Sequence, residues 1–175
     1  MNKIEREELT KIIEQEHGNY WWKKDSFVEK IQPILPQQLD VLSLPPEQEN
    51  NYNCFVYALG LEKDPEFLGG NNPIQKEFIN HLIIHSILVE VEVPKKNDLI
   101  FYIENGGGIT HGGIVLDEGL IISKWMWGPI IKNKIMDVPS SFGNDVTYYR
   151  ATDPIIVKDL YLKYRDSGVE IQPIL

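Results

Sequence analysis

From residue 87 to residue 150 the chain is a succession of short apolar runs separated by turn signals, and this spacing leaves few folds open. Ile87, Val89, Val91 and Val93 alternate with Leu88, Glu90 and Glu92, the period of a strand. Further strands are expected at Leu99–Ile103, Gly113–Leu116, Leu120–Lys124 and Val146–Arg150. Their connections are short, and Asp117-Glu118-Gly119 suits a tight hairpin, so the pairing is expected to be antiparallel. An antiparallel sheet of about five strands follows from these runs.

Helices are expected around the sheet. Residues 3–16 carry Ile4, Leu9, Ile12 and Ile13 among charges, an amphipathic pattern that ends near Gly18. Asp25 or Ser26 suits the cap of a second short helix reaching Ile34, stopped by Pro36. Residues 74–85 place Ile74, Phe78, His81, Leu82 and His85 at helical spacing. Thr152 or Asp153, followed by Pro154, starts a last helix running to Tyr164. The class is therefore α+β. The expected organisation is an N-terminal helical extension (1–45), a core (46–151) and a C-terminal helix and tail (152–175). Residues 36–53, with Pro36, Pro45 and Pro46 among polar residues, read as a surface loop, and Tyr20-Trp21-Trp22 as packing residues. Ile31-Gln32-Pro33-Ile34-Leu35 recurs at 171–175, but neither flank continues the match and no period is implied.

Composition removes several classes of function. At 175 residues the chain can bury a substantial core, and 42% hydrophobic with 25% charged residues is ordinary for a globular protein. A formal net charge of −9 argues against nucleic acid or an anionic membrane surface as a partner. No run is long and apolar enough to span a bilayer, and Met1–Glu8 is charged where a signal peptide is apolar. A cytoplasmic location is expected, with delivery by a specialised secretion system as the variant. One cysteine means no intrachain disulfide.

That cysteine is the main chemical signal. Cys54 follows a polar run (Pro45 to Asn51) and precedes an apolar stretch of helical period, which places the thiol in the first turn of a helix. Unpaired N–H groups and the positive dipole end favour a thiolate there. Downstream, His111 opens a strand, and a helix-borne Cys with a strand-borne His is the trace of a nucleophile and its base. Competing constellations are weaker. His81 and His85 have metal-sharing spacing but no third ligand at a matching distance, so neither metal nor cofactor is expected. Gly106-Gly107-Gly108 precedes a strand rather than a helix and reads as a hairpin loop over the cleft, not a phosphate cradle.

The Asn-Cys helix, Pro94-Lys95-Lys96-Asn97-Asp98-Leu99-Ile100-Phe101-Tyr102, and the run from Thr110-His111-Gly112-Gly113-Ile114-Val115 to Ser123 resemble, in that order, NlpC-type papain-like cysteine peptidases. Members show a cysteine at a helix start, a Gly-Asp-Leu-Val-Phe-like strand and a His-x-Gly-Ile-Tyr-like strand. The resemblance covers residues 50–125, with Asn97 where the family has glycine. It implies a papain-like sheet with the nucleophile helix on one face, Cys54 attacking an amide carbonyl and His111 taking its proton. It also puts the ring-orienting residue at Ser123; from the residues themselves, Asn133 and Asp137 in the polar stretch after that strand are alternatives, and Asp98 reads as a turn-capping acid. The oxyanion would meet the Cys54 N–H and a donor near Tyr52 or Asn53, and Trp125 and Trp127 could wall the cleft or cover the sheet. The substrate would be a small peptide, isopeptide or other amide. The alternatives are an inactive papain-like binding module and a cysteine acyltransferase or deamidase effector.

Overall fold

Asn97 takes a left-handed conformation (φ 72°), as a turn into a strand requires, and sets up β3 (Leu99–Ile103) in the middle of the sheet. Asp98 fixes the same turn. Its carboxylate accepts the Lys95 N–H at 2.7 Å and pairs with Arg150 at 2.7 and 2.8 Å, the capping role expected of it. The molecule is a computed structural model that describes residues 1–15, 22–70, 73–117, 119–151 and 153–167. Tyr20, Trp21, Glu118, Thr152 and the second copy of the Ile-Gln-Pro-Ile-Leu run lie outside these residues.

One antiparallel sheet organises the described residues. Its seven strands are β1 (Asp40–Ser43), β2 (Leu88–Glu90), β3, β4 (Ile109–Asp117), β5 (Leu120–Lys124), β6 (Ile130–Lys134) and β7 (Asp145–Ala151). They lie in the order β1-β6-β5-β4-β3-β7-β2. Two of the seven were not anticipated. β1 falls in the stretch expected to be a surface loop, where Val41 pairs with Ile131. β6 was hidden by its two lysines and asparagine, although Ile131 and Asn133 face inward.

Strand alternation divides the interior into two cores, one on each face of the sheet. Leu99 and Phe101 of β3 point to the first, Ile100 and Tyr102 to the second. The first face is covered by α3 (Cys54–Ala58), α4 (Lys76–Ile84) and α5 (Pro154–Asp166), which bury Val56, Phe78, Leu82 and Val157. Asp153 caps α5 by accepting the Ile155 N–H at 2.8 Å, and Pro154 follows it. The second face is covered by the described parts of the N-terminal segment, 1–15 and 22–44. There α1 (Lys3–Thr10), a π-helical turn at 11–15, and a helical stretch beginning with α2 (Lys24–Ser26) and ending at Ile34 bury Leu9, Ile13, Phe27 and Ile31. Each such side chain contributes roughly 1.5–3 kcal/mol by leaving water.

Asn2 starts α1 through a reciprocal capping box with Glu5. Arg6 then anchors the helix from within. Its guanidinium donates to Val138 O at 3.0 Å, Gly143 O at 2.5 Å and Asn144 Oδ1 at 3.2 Å. The segment 138–144 is thereby tied to α1. Among the described residues, no helix is long and apolar enough to cross a membrane.

Candidate functional site

Asn53 creates the local geometry around the cysteine. Its Oδ1 accepts the Val56 N–H at 3.1 Å and its Nδ2 donates to Ile74 O at 2.7 Å, so α3 begins at Cys54. These two bonds occupy the amide oxygen and one of its two N–H donors. Helix α3 packs on β4 and β5. It can come this close because Gly112 lacks a side chain: a Cβ there would lie 3.0 Å from the Phe101 ring and 3.2 Å from Phe55. The Cys54 sulfur is buried against β4, and the backbone N–H groups of Gly112, Phe55 and Cys54 itself favour its thiolate. Burial outweighs them and pushes the thiol up to about 12.

Lys124 lies on the same face. It is fully buried, donates from Nζ to Gly128 O at 2.5 Å and sits 4.7 Å above the Tyr52 ring centre. Among the described residues no carboxylate pairs with it. Burial pushes its ammonium down to about 7, partly opposed by the electrostatic influence of Cys54. A buried thiol and a buried amine thus bias one another's protonation on one face of the sheet.

An open pocket of about 430 Å³ borders Cys54, with Phe55, Thr110, Met126, Trp127 and Phe142 among its walls. A larger hollow of about 730 Å³ lies between Gln48–Asn50 and Pro65–Gly69. It holds one titratable side chain, Glu49, and no nucleophile, so the smaller pocket is the chemical candidate.

His111 does not join Cys54. It pairs across β3 with Tyr102 and therefore points to the second face, while its neighbour Gly112 faces Phe55 and α3. Its ring stacks on Phe142 at 3.9 Å and lies 5.5 Å from the Tyr102 ring, and neither ring nitrogen has a hydrogen-bond partner. Burial holds its imidazolium down to about 3. The expected Cys–His contact is thus replaced by an aromatic sandwich on the far side of β4.

The orienting residues follow the histidine to that face without hydrogen-bonding its ring. Ser123 Oγ is buried and unpartnered, and Asn133 donates from Nδ2 to Lys134 O at 2.7 Å while its Oδ1 has no partner. Asp137 contacts the Met1 amine. Trp125 is fully buried, edge-on to Phe142, and covers the sheet; Trp127 is the tryptophan that walls the pocket. The Tyr52 N–H donates to Asn51 Oδ1 at 2.8 Å, which removes it as an oxyanion donor. The rings of His81 and His85 lie 4.3 Å apart, tilted at 55°, near the end of α4, and the described residues hold no cluster of three metal-ligating side chains.

Lys124 was missed because a lysine ordinarily reads as a solvated residue. The available signal was its strand, where Ile121 and Ser123 are buried on one face and Lys124 continues the other toward α3.

Residues 44–150 match the model of the family described as "Domain of unknown function (DUF7689)", which is more than half of the chain. The chain belongs to this family. The matched span runs from the residue after β1 to the next-to-last residue of β7 and includes Cys54, Lys124 and His111. No curated protein and no solved structure matches the chain.

Proposed function

We propose that the protein is a thiol-dependent hydrolase of an amide bond, with Cys54 as nucleophile and Lys124 as its proton acceptor. One observation carries this reading: a fully buried lysine with no acidic partner among the described residues lies on the same face of the sheet as a buried cysteine that borders an open pocket. A lysine pushed down to about 7 is substantially a neutral amine at neutral pH. It takes the Sγ proton in concert with attack of the sulfur on the carbonyl carbon, so that no free thiolate has to form first. The ammonium then returns the proton to the leaving nitrogen as the C–N bond breaks. Water attacks the thioester, gives a proton to Lys124 and releases the acid, restoring the thiol. The N–H groups beside the sulfur are the nearest donors for the developing oxyanion. A short helix carrying the nucleophile against an antiparallel sheet supports an NlpC-type papain-like arrangement. The face taken by His111 departs from it.

The test is the rate of Cys54 alkylation by iodoacetamide, followed by intact mass across pH. The wild-type rate should rise through about pH 7, as Lys124 loses its proton. Lys124→Met should react roughly a hundred-fold more slowly near pH 8, the scale of a general base. Equal rates in the two proteins would sink the pairing. A second reading, an inactive binding module, is favoured by Cys54 being only 2% exposed as a residue. Under it both proteins label slowly at every pH below the thiol's own range.

A further inference from the structure

The turn joining β5 to β6 holds an exposed apolar side chain in a conformation that such a residue rarely adopts. Gly128 N–H donates to Trp125 O at 2.7 Å, closing a β-turn with Met126 and Trp127 at its centre. Met126 has φ 53°, left-handed backbone where glycine or asparagine is the usual occupant. Holding a bulky residue there costs on the order of 1 kcal/mol.

The surroundings over-determine the turn. Lys124 Nζ holds Gly128 O from beneath at 2.5 Å, Asn51 Nδ2 holds Trp127 O at 2.9 Å, and the Trp127 ring lies over Gly70. Met126 itself is 40% exposed, so its side chain is not there to fill a core. It lines the Cys54 pocket, together with Trp127, Phe142 and Phe55. An unbranched, adaptable thioether facing aromatic walls suits an apolar group of variable shape.

We infer that Met126 is a specificity-determining residue of the Cys54 site, and that the substrate carries an apolar side chain next to the attacked carbonyl. This rests on Cys54 being the nucleophile. Thr110 and Asn53 line the same pocket and offer polar walls for the backbone of such a substrate, with Met126 and Trp127 left as the walls for its apolar group.

The experiment compares alkylation of Cys54 by N-benzyl-2-chloroacetamide and by 2-chloroacetamide, each rate divided by that with free N-acetylcysteine. The wild type should prefer the benzyl reagent about ten-fold, the usual scale of a partly enclosed apolar contact. Met126→Asn keeps a residue that tolerates the turn and should lose the preference, whereas Met126→Leu should retain it. Thermal melting of both variants verifies that they are folded. Equal normalised rates in the wild type, or an undiminished preference in Met126→Asn, would overturn the inference and leave Cys54 as nucleophile. If neither reagent labels Cys54 in the folded protein, the nucleophile reading fails and the inference falls with it.

Discussion

Burial without a hydrogen-bond partner keeps the His111 imidazole neutral, down to about 3 against an ordinary value of 6.5. Between those values the unfolded chain binds a proton that the folded chain refuses, so stability falls as pH drops through this window. The slope from one such group reaches about 1.4 kcal/mol per pH unit. His111→Phe preserves the stacking on Phe142 and removes the titration. Urea melts of the two proteins at about pH 7 and pH 4.5 should therefore diverge, the wild type losing roughly 2 kcal/mol more than the variant. Equal losses would mean that the ring is solvated in the native state. At this scale the sequence was legible for residue types rather than for directions. It marked Cys54, and the structure sets that thiol against β4 on the wall of a pocket. It also marked His111, but which face of a strand meets α3 depends on where a helix from another part of the chain comes to rest. Alternation puts His111 and Gly112 on opposite sides, and the glycine, lacking a side chain, is the one that α3 packs against.

Elements were more legible where local signals agreed. β3, β5 and α5 lie close to their expected bounds because alternation, turn residues and a capped proline each act within a few residues. β1 and β6 were not, since they pair with each other at an edge and carry charged residues, and only the sheet gives them meaning. The contact between α1 and segment 138–144 had no signal either, because a buried Arg6 looks the same in sequence as a solvated one. It should nonetheless be among the most sensitive positions outside the cores. Arg6→Met would leave carbonyls of Val138 and Gly143 without their donor, at a cost of about 3 kcal/mol. Chemical denaturation measures this directly, and a loss below about 1 kcal/mol would show that the segment finds other donors.

Across the whole molecule, two cores share one sheet, and β3 contributes side chains to both. Neither layer of helices is then free to unfold alone. Leu9→Ala in α1 and Phe78→Ala in α4 remove fully buried groups from opposite faces, and each should cost about 3 kcal/mol. Both variants should still melt in a single transition by calorimetry, with the van't Hoff and calorimetric enthalpies in agreement. A second, lower transition confined to Leu9→Ala would separate the N-terminal layer from the rest. The position of β4, fourth in a row of seven strands, has a further consequence in time rather than energy. Its amides, including the Gly112 N–H that faces Cys54, exchange with solvent deuterium only when the whole sheet opens. The sulfur therefore keeps a nearly fixed wall behind it for as long as the sheet itself stays closed.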